Sequence, residues 1–511
     1  MTLPTTPRAT IRERLSREVG RIDKDAPLRL ALVYPSPYGV AMSSLGYQCI
    51  YSVVQKTPGW CAERLFLPDS WADSSEDHEI PVSYEANRRL ADFSIVAFSV
   101  AYEMEIRGVI RLLRAGGLPP LARDRGPGHP LVVAGGPLTF SNPWPLLPFA
   151  DLLILGEAEQ IVADLLQRFA DASSRTSLLA ELAQHENIAV STMPNGNKVA
   201  IAQADDSWLP ARSTIVTPLT ELSSMFLIEV ARGCSRGCNY CVMRRSTNGG
   251  MRIIPSDRIL DLVPSTAQRV GLVGAAVSDH PQIVEVIRTL ADRGCQVSLS
   301  SLRPDKLKAP LVHALAAAGH RTLTTALDGA SRRLRSQIDR RAKPDDFLRA
   351  AELARTAGME RLKLYLMLGL PSETSDDVEE CIQLVTEISK ILPVVLGISP
   401  FCAKRNTPLD GAPFAGVRAV QGHLRQLRKG LQGRAQVRAT SARWAWVEYV
   451  LAQGGPREGH AVLEATLAGG DFASFRSAFA ALGHDPDRRD SSAAPAPGTT
   501  VALRIRPPAA N

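Results

Sequence analysis

Short apolar runs alternate with helix-patterned segments twice along this chain, first between Leu28 and Phe169 and again between Met225 and Ser399. Such alternation implies parallel sheets, because parallel neighbours need a crossover and the crossover is usually a helix. In the first series the strand candidates are Leu28–Tyr34, Phe93–Ser99, Pro130–Ala134 and Asp151–Leu155, with helices expected at Leu45–Val54, Glu103–Leu113 and Glu159–Phe169. The second series offers six strands: Phe226–Val230, Val270–Gly274, Gln296–Ser300, Thr322–Leu327, Leu362–Leu368 and Val394–Ser399. Helices Pro344–Ala357 and Ser375–Ile391 fall between them. The fold class is therefore α/β, with a doubly wound, Rossmann-like sheet followed by six further β/α units, a number that suits an open, partial barrel. Ligands of both architectures sit at the carboxyl ends of the strands.

A chain of 511 residues exceeds one hydrophobic core. The expected division is a flexible N-terminus over 1–25, a sheet domain over 26–171, and a β-rich connector over 172–223 with a turn at Met193–Asn197. A barrel follows over 224–410, then a helical domain over 411–484 and a disordered tail over 485–511 rich in Ala, Pro, Asp and Arg. No apolar stretch reaches the length of a membrane span, and Met1–Ala26 lacks the apolar core of a secretory signal. Eight cysteines, most of them single within apolar runs, argue against a disulfide framework and for the reducing cytoplasm. The net charge of +7 is spread out, and Arg332–Arg335 and Arg340–Arg341 read as solvated helix faces. Aromatic residues make up 5% and do not alternate with basic ones, so a nucleic-acid partner has no positive support.

Cys234, Cys238 and Cys241 lie in the run Arg232-Gly-Cys-Ser-Arg-Gly-Cys-Asn-Tyr-Cys241. Three thiolates on one short loop can hold three irons of a 4Fe–4S cube and leave the fourth without a protein ligand. A structural zinc would want a fourth ligand, and downstream the next cysteine is only Cys295 and the nearest histidine His280. Gly233 and Gly237 let the backbone wrap closely round a bulky core. This Cys-x3-Cys-x2-Cys triplet resembles the signature of the radical S-adenosylmethionine (radical SAM) enzymes. The resemblance implies that the open iron chelates the methionyl amino and carboxylate groups, and that an electron from the cluster yields a 5′-deoxyadenosyl radical. A reductant such as flavodoxin or ferredoxin is then the expected partner.

The same resemblance assigns residues at the later strand ends. Tyr240 is expected against the adenine, and Gly274-Ala275-Ala276 takes the place of a Gly-Gly-Glu turn that receives the methionyl ammonium, with the acidic side chain missing at Ala276. Ser300, Ser301 and Arg303 are candidates for the ribose hydroxyls and the carboxylate, and Asp328 stands where relatives often carry a glutamate. Gly369 and Pro371 belong to a Gly-Leu-Pro-Ser-Glu-Thr run similar to a turn of the family. Two further residues are candidates for chemistry on substrate. Cys402, near Lys404, is either a packed apolar filler or a hydrogen-atom donor or redox thiol. His280 is either a loop histidine or an acid–base group.

In the first sheet, Gly135-Gly136 and Gly156-Glu157 follow strands, where glycine lets a flat ligand approach the backbone. With Tyr34-Pro-Ser-Pro-Tyr-Gly and Phe98-Ser-Val-Ala-Tyr-Glu103, they resemble the cobalamin-binding domain of one radical SAM class, in a mostly uncharacterised subfamily. That makes Gly135, Gly136, Gly156 and Glu157 candidate cobalamin contacts. No Asp-x-His-x-x-Gly loop is present, so bound cobalamin is expected without a histidine ligand. The implied activity is radical methyl transfer to an unactivated carbon. The alternatives are a cobalamin-independent or rearranging radical enzyme, a methylthiotransferase, or a non-catalytic iron–sulfur or corrinoid carrier. A methylthiotransferase would need three N-terminal cysteines, and only Cys49 and Cys61 precede the triplet. No substrate motif is legible.

Overall fold

The computed structural model describes residues 7–71, 79–193, 199–243 and 250–487. Its chain divides into two compact units, one reaching to Met225 and including Gly454–Leu482, the other built on Phe226–Gln453. In the first unit the expected strands appear as β1 (Leu28–Tyr34), β3 (Ile95–Ser99), β4 (Leu131–Gly135) and β5 (Leu152–Ile154). Two unexpected strands join them, β2 (Trp60–Phe66) and β6 (Ile188–Val190). The order is β2-β1-β3-β4-β5-β6, parallel except for β6, which runs antiparallel to β5. Leu30, Leu32, Trp60, Ile95, Leu131, Val133 and Leu152 build the core under the helices Leu45–Lys56 and Glu159–Asp171.

β2 escaped the sequence pattern because its centre is charged. Every residue of it is buried, including Glu63 and Arg64. Glu63 pairs with Arg29 and with Arg88, each at 3.1 Å, while Arg64 pairs with Glu18 at 2.7 Å and Glu85 at 2.6 Å. Those pairs also correct the expectation of a flexible N-terminus. Residues from Pro7 onward are folded: a helix Pro7–Ser16 buries Ile11, Arg14 hydrogen-bonds to the Tyr84 hydroxyl and pairs with Asp69, and Glu18 supplies the counter-charge to Arg64. The connector is likewise part of the first unit. It contains a helix, Arg175–Leu182, as well as β6, and the Gln48 side chain accepts the backbone N–H groups of Thr214 and Ile215. Beyond Met193, the turn expected at 193–197 lies outside the described residues.

In the second unit the six expected strands are β7 (Phe226–Glu229), β10 (Arg269–Val273), β11 (Gln296–Leu299), β12 (Thr322–Asp328), β13 (Arg361–Leu368) and β14 (Val394–Pro400). A short antiparallel ribbon, β8 (Ala231–Gly233) with β9 (Met251–Ile253), is inserted after β7. A seventh parallel strand, β15 (Ala435–Ala439), pairs with β14. The sets β7-β10-β11 and β12-β13-β14-β15 are joined by a parallel bridge between Leu302 and Thr325, which gives the partial barrel. β13 shows how the sequence selects its faces: Leu362, Leu364, Leu366 and Leu368 are buried, while Lys363, Tyr365 and Met367 point to the other face.

The expected helical domain over 411–484 is not a separate body. Its first part, with β15 and the helices Val417–Gly430 and Ala442–Gln453, belongs to the barrel unit. Its second part, with Pro456–Leu467 and Phe472–Ala480, belongs to the sheet unit, where Gly459 packs so tightly on Pro145 that a Cβ would lie 2.2 Å from its carbonyl oxygen. From 488 onward the expected tail lies outside the described residues. Among the described residues no helix is long and apolar enough to cross a membrane.

Candidate functional site

The cysteine loop leaves β8 directly after Gly233, whose φ of 87° lies in the left-handed region that glycine tolerates. Within the loop the Cys241 N–H donates to the Cys238 carbonyl at 3.2 Å, and the Arg236 N–H points at Cys234 Sγ at 3.4 Å. A second segment braces it: Asn239 donates its backbone N–H to the Ile338 carbonyl at 3.0 Å and its side-chain amide to that of Gln337 at 2.9 Å. Leu409 in turn donates to the Asn239 carbonyl at 3.1 Å. The three thiols thereby line one cavity of about 180 Å³, together with Tyr240, Ala275, Ala276, Ser301, Arg303, Ala326, Asp328 and Arg340.

The donor set fits a cube better than a single ion. Three soft ligands spread over one cavity suit a cluster that offers each its own iron. Burial pushes the Cys241 thiol up to about 11, with the neighbouring thiols adding to the rise, and burial also raises Cys238. Left alone these groups stay protonated; a positive inorganic core reverses that preference, since a coordinating thiol is deprotonated by its metal.

Beside the thiols stands a charged pair that the sequence had hidden. Arg340 Nε lies 2.6 Å from Asp328 Oδ2, with both side chains 13% exposed, and the Arg340 guanidinium also hydrogen-bonds to Cys238. Asp328 takes a hydrogen bond from Tyr240, and its φ of 61° shows the bend that brings the end of β12 towards the loop. Burial raises the Asp328 carboxyl despite Arg340, and burial with Asp328 raises the Tyr240 phenol. Arg340 is therefore not part of a solvated face, and nor is Arg335, which is 1% exposed and donates to the carbonyls of Ala342 and Gly329. The local charge pattern misled because both partners of each arginine lie outside its own turn.

The other expected residues divide. Ala275, Ser301, Tyr240, Arg303 and Asp328 reach the cavity, whereas Gly274, Ser300, Gly369 and Pro371 are not among its lining residues. Ser300 donates to the Gly274 carbonyl at 3.4 Å, and a Cβ at Gly274 would press on Ala231 O at 3.0 Å, so this pair shapes the wall from behind. Gly369 has φ 86° and a contact that a Cβ would make with Ala415, while its N–H donates to Glu373 at 2.5 Å; Pro371 O accepts from Gln337 at 3.4 Å. That turn is held by its own surroundings. Arg303 bridges Asp279 at 2.5 Å and Asp305 at 2.6 Å, and Arg236 from the cysteine loop shares Asp305 at 2.6 Å. Its charge is already matched, which fits a brace between loop and barrel better than a free anion ligand.

His280 is 3% exposed, and both ring nitrogens are engaged: Nε2–H donates to Ile254 O at 2.8 Å and Nδ1 accepts from the Gln282 N–H at 3.2 Å. This geometry fixes one tautomer and supports a structural role rather than acid–base work. Cys402 Sγ donates to the Ala445 carbonyl at 3.1 Å, and Lys404 is paired with Glu448 at 2.8 Å, so the lysine's charge is directed away from the thiol. The packing reading of Cys402 is the one this arrangement favours.

In the sheet unit the four strand-end candidates face their own chain. A Cβ at Gly136 would lie 2.8 Å from Val100 O, and one at Gly156 would lie 2.6 Å from both backbone N and O of Ala202. Gly135 sits against Ile154 O, and the Glu157 carboxylate accepts from the Ala204 N–H at 2.9 Å. These neighbours account for glycine at 136 and 156 and for the carboxylate at 157 within the sheet unit.

Comparison with known proteins places both units. A family profile described as "Radical SAM proteins, N-terminal" matches residues 46–190, and one described as "Radical SAM superfamily" matches 228–385. An uncharacterised protein of Methanocaldococcus jannaschii is 28% identical over 400 residues, 75% of this chain and 80% of its own. Among solved structures, the radical S-adenosylmethionine methyltransferase TsrM from Kitasatospora setae, with cobalamin and a [4Fe-4S] cluster bound, superposes with a TM-score of 0.59 at 14% identity over 90% of this chain and all of its own. The cobalamin-dependent S-adenosylmethionine radical enzyme OxsB, with aqua-cobalamin bound, gives 0.50 at 13% identity over 72% and 53%. With the thiol triplet at the mouth of a partial barrel and both profiles matched in order, the chain belongs to the radical SAM superfamily, with an N-terminal sheet unit of the cobalamin-binding-like fold ahead of its barrel.

Proposed function

We propose that this chain is a catalyst that cleaves S-adenosylmethionine reductively at the Cys234–Cys238–Cys241 loop. The observation that carries the reading is the convergence of those thiols, Tyr240 and the Asp328–Arg340 pair on one cavity at the strand ends. Cys234, Cys238 and Cys241 would hold a 4Fe–4S cluster, which once reduced by an external donor would supply one electron to the sulfonium, breaking its bond to C5′ to give methionine and a 5′-deoxyadenosyl radical. The protein's share is placement. Asp328 lines the cavity with the carboxylate that Ala276 lacks, and Arg340, paired with it, sets a guanidinium beside the thiols. Tyr240 presents an apolar ring held by its hydrogen bond to Asp328, and Ser301 adds a hydroxyl. Anaerobic incubation of reconstituted, dithionite-reduced protein with S-adenosylmethionine is expected to release 5′-deoxyadenosine; iron-loaded protein that releases none is a carrier, not a catalyst.

The finer proposal is cobalamin-dependent methyl transfer to an unactivated carbon. Its support is likeness of fold to a cobalamin-bound methyltransferase, together with a doubly wound sheet whose order reverses between β1 and β3, the usual place for a ligand. Purification after hydroxocobalamin supplementation, followed by a visible spectrum, is expected to show stoichiometric corrin. A colourless sheet unit would remove the methyl-transfer proposal and leave the radical chemistry.

A further inference from the structure

We infer that the inner face of the barrel beside the cluster cavity binds an anionic, planar small-molecule substrate, held by Tyr365, Lys363 and Arg438. The inference rests on the radical SAM reading of the adjoining cavity and names the substrate class that reading leaves open.

Strand register places these residues. Ala326, which lines the cavity, is paired across the sheet with Tyr365, Tyr365 with Gly397, and Gly397 with Arg438. Parallel partners share a face, so this row runs along the inner surface, opposite the buried leucines of β13. At about 4.8 Å per strand, Tyr365 lies roughly 5 Å and Arg438 roughly 14 Å from the cavity wall. A small molecule bound there reaches both the cation and the radical source.

The surface is unusual for a barrel interior, which bulky branched side chains normally fill. Tyr365 is 41% exposed. The Lys363 ammonium stands 4.8 Å from the Tyr365 ring centroid, and the edge of that ring crosses Gly397, where a Cβ would come within 3.1 Å of it. Glycine thus lets the Tyr365 ring lie across the neighbouring strand, on the side where Arg438 follows in the register. Arg438 is exposed, and among the described residues its side chain hydrogen-bonds to neutral Gln436 alone, at 3.1 Å. Neither Lys363 nor Arg438 makes an ion pair among the described residues, and the inward carboxylate of Glu229 is already held by Arg232 at 2.7 and 2.9 Å. Two unmatched cations and an open ring ask for a ligand with a flat body and a negative group.

The test is equilibrium binding of 2-naphthoate and of its neutral analogue 2-naphthamide to the full-length, cluster-loaded protein. Naphthoate is expected to bind at least roughly tenfold more tightly than the amide. Arg438→Gln is expected to remove most of that difference by weakening naphthoate alone, while Gly397→Val weakens both ligands by displacing the Tyr365 ring. Equal affinity for acid and amide, an unchanged acid affinity in Arg438→Gln, or no naphthoate binding up to roughly 10 mM overturns the inference. Binding needs no turnover. Naphthoate that binds as expected to protein unable to cleave S-adenosylmethionine breaks the radical reading and not this one; cleavage without naphthoate binding does the reverse.

Discussion

The two units build the same kind of parallel sheet but finish its carboxyl edge in opposite ways. In the sheet unit, Gly136 and Gly156 let Val100 and Ala202 close over the strand ends, and buried charges such as Arg64 are matched within the chain by Glu18 and Glu85. In the barrel, the strand ends stop short around a cavity, and its buried charges, Asp328 and Arg340, stand beside three thiols. Position in a fold is therefore weak evidence of a ligand contact. What distinguishes the two edges is whether the chain closes over the polar and flexible residues there or leaves them around an open cavity.

Substitutions that separate these two kinds of edge follow in order of expected size. Cys238→Ala, with either companion thiol also replaced, should reduce reconstituted iron to background by colorimetric assay, because one thiolate cannot retain a cube; full iron retention would break the contrast at its open end. Arg64→Ala leaves Glu18 and Glu85 buried without a counter-charge, and urea unfolding should show a loss of about 3–5 kcal/mol. Gly156→Ala forces a Cβ against Ala202 at a φ of 96° and should cost about 2 kcal/mol or more by the same assay. Were Gly156 a ligand contact, the cost would fall on corrin binding and spare stability.

The smallest effect concerns Glu105, whose carboxylate accepts from the Ser36 hydroxyl at 2.9 Å and the Ala101 N–H at 2.6 Å beside the start of the helix Ile106–Ala115. Burial lifts it from 4.5 to about 7, against the hydrogen bonds that favour its charge. The folded state thus keeps a proton that the unfolded state has lost. Its stabilising contribution is complete below about pH 4.5 and disappears as pH rises through 7. Glu105→Gln should flatten that decline by on the order of 2 kcal/mol, measured by urea unfolding at pH 5 and pH 8. An unchanged slope would show that this edge is wetter than its packing implies.

Much of the architecture was legible because faces of sheets leave periodic traces. Leu362-Lys-Leu-Tyr-Leu-Met-Leu368 writes its buried face in every second residue, and the helix expected at Ser375–Ile391 has those bounds, with Thr374 capping its first turn. β2 was hidden because Glu63 and Arg64 interrupt an otherwise apolar run, and their partners are scattered from Glu18 to Arg88. β15 was hidden because its alternating Gln436 and Arg438 face an open lumen and carry no apolar stripe. At the site, the thiols announced themselves by spacing, but Arg340 did not, since its meaning depends on Asp328 at the end of β12. Conversely, the backbone partners of His280 and of the strand-end glycines were invisible in sequence, because they lie on other segments.

The vacant vertex is best examined by electron paramagnetic resonance of the dithionite-reduced, reconstituted protein before and after S-adenosylmethionine is added. Three-thiolate ligation with an accessible fourth iron should give a [4Fe–4S]⁺ signal whose g-values shift when the amino acid moiety coordinates, and no such signal in the thiol variants. A cluster signal indifferent to S-adenosylmethionine, or one that survives replacement of all three cysteines, would contradict the account.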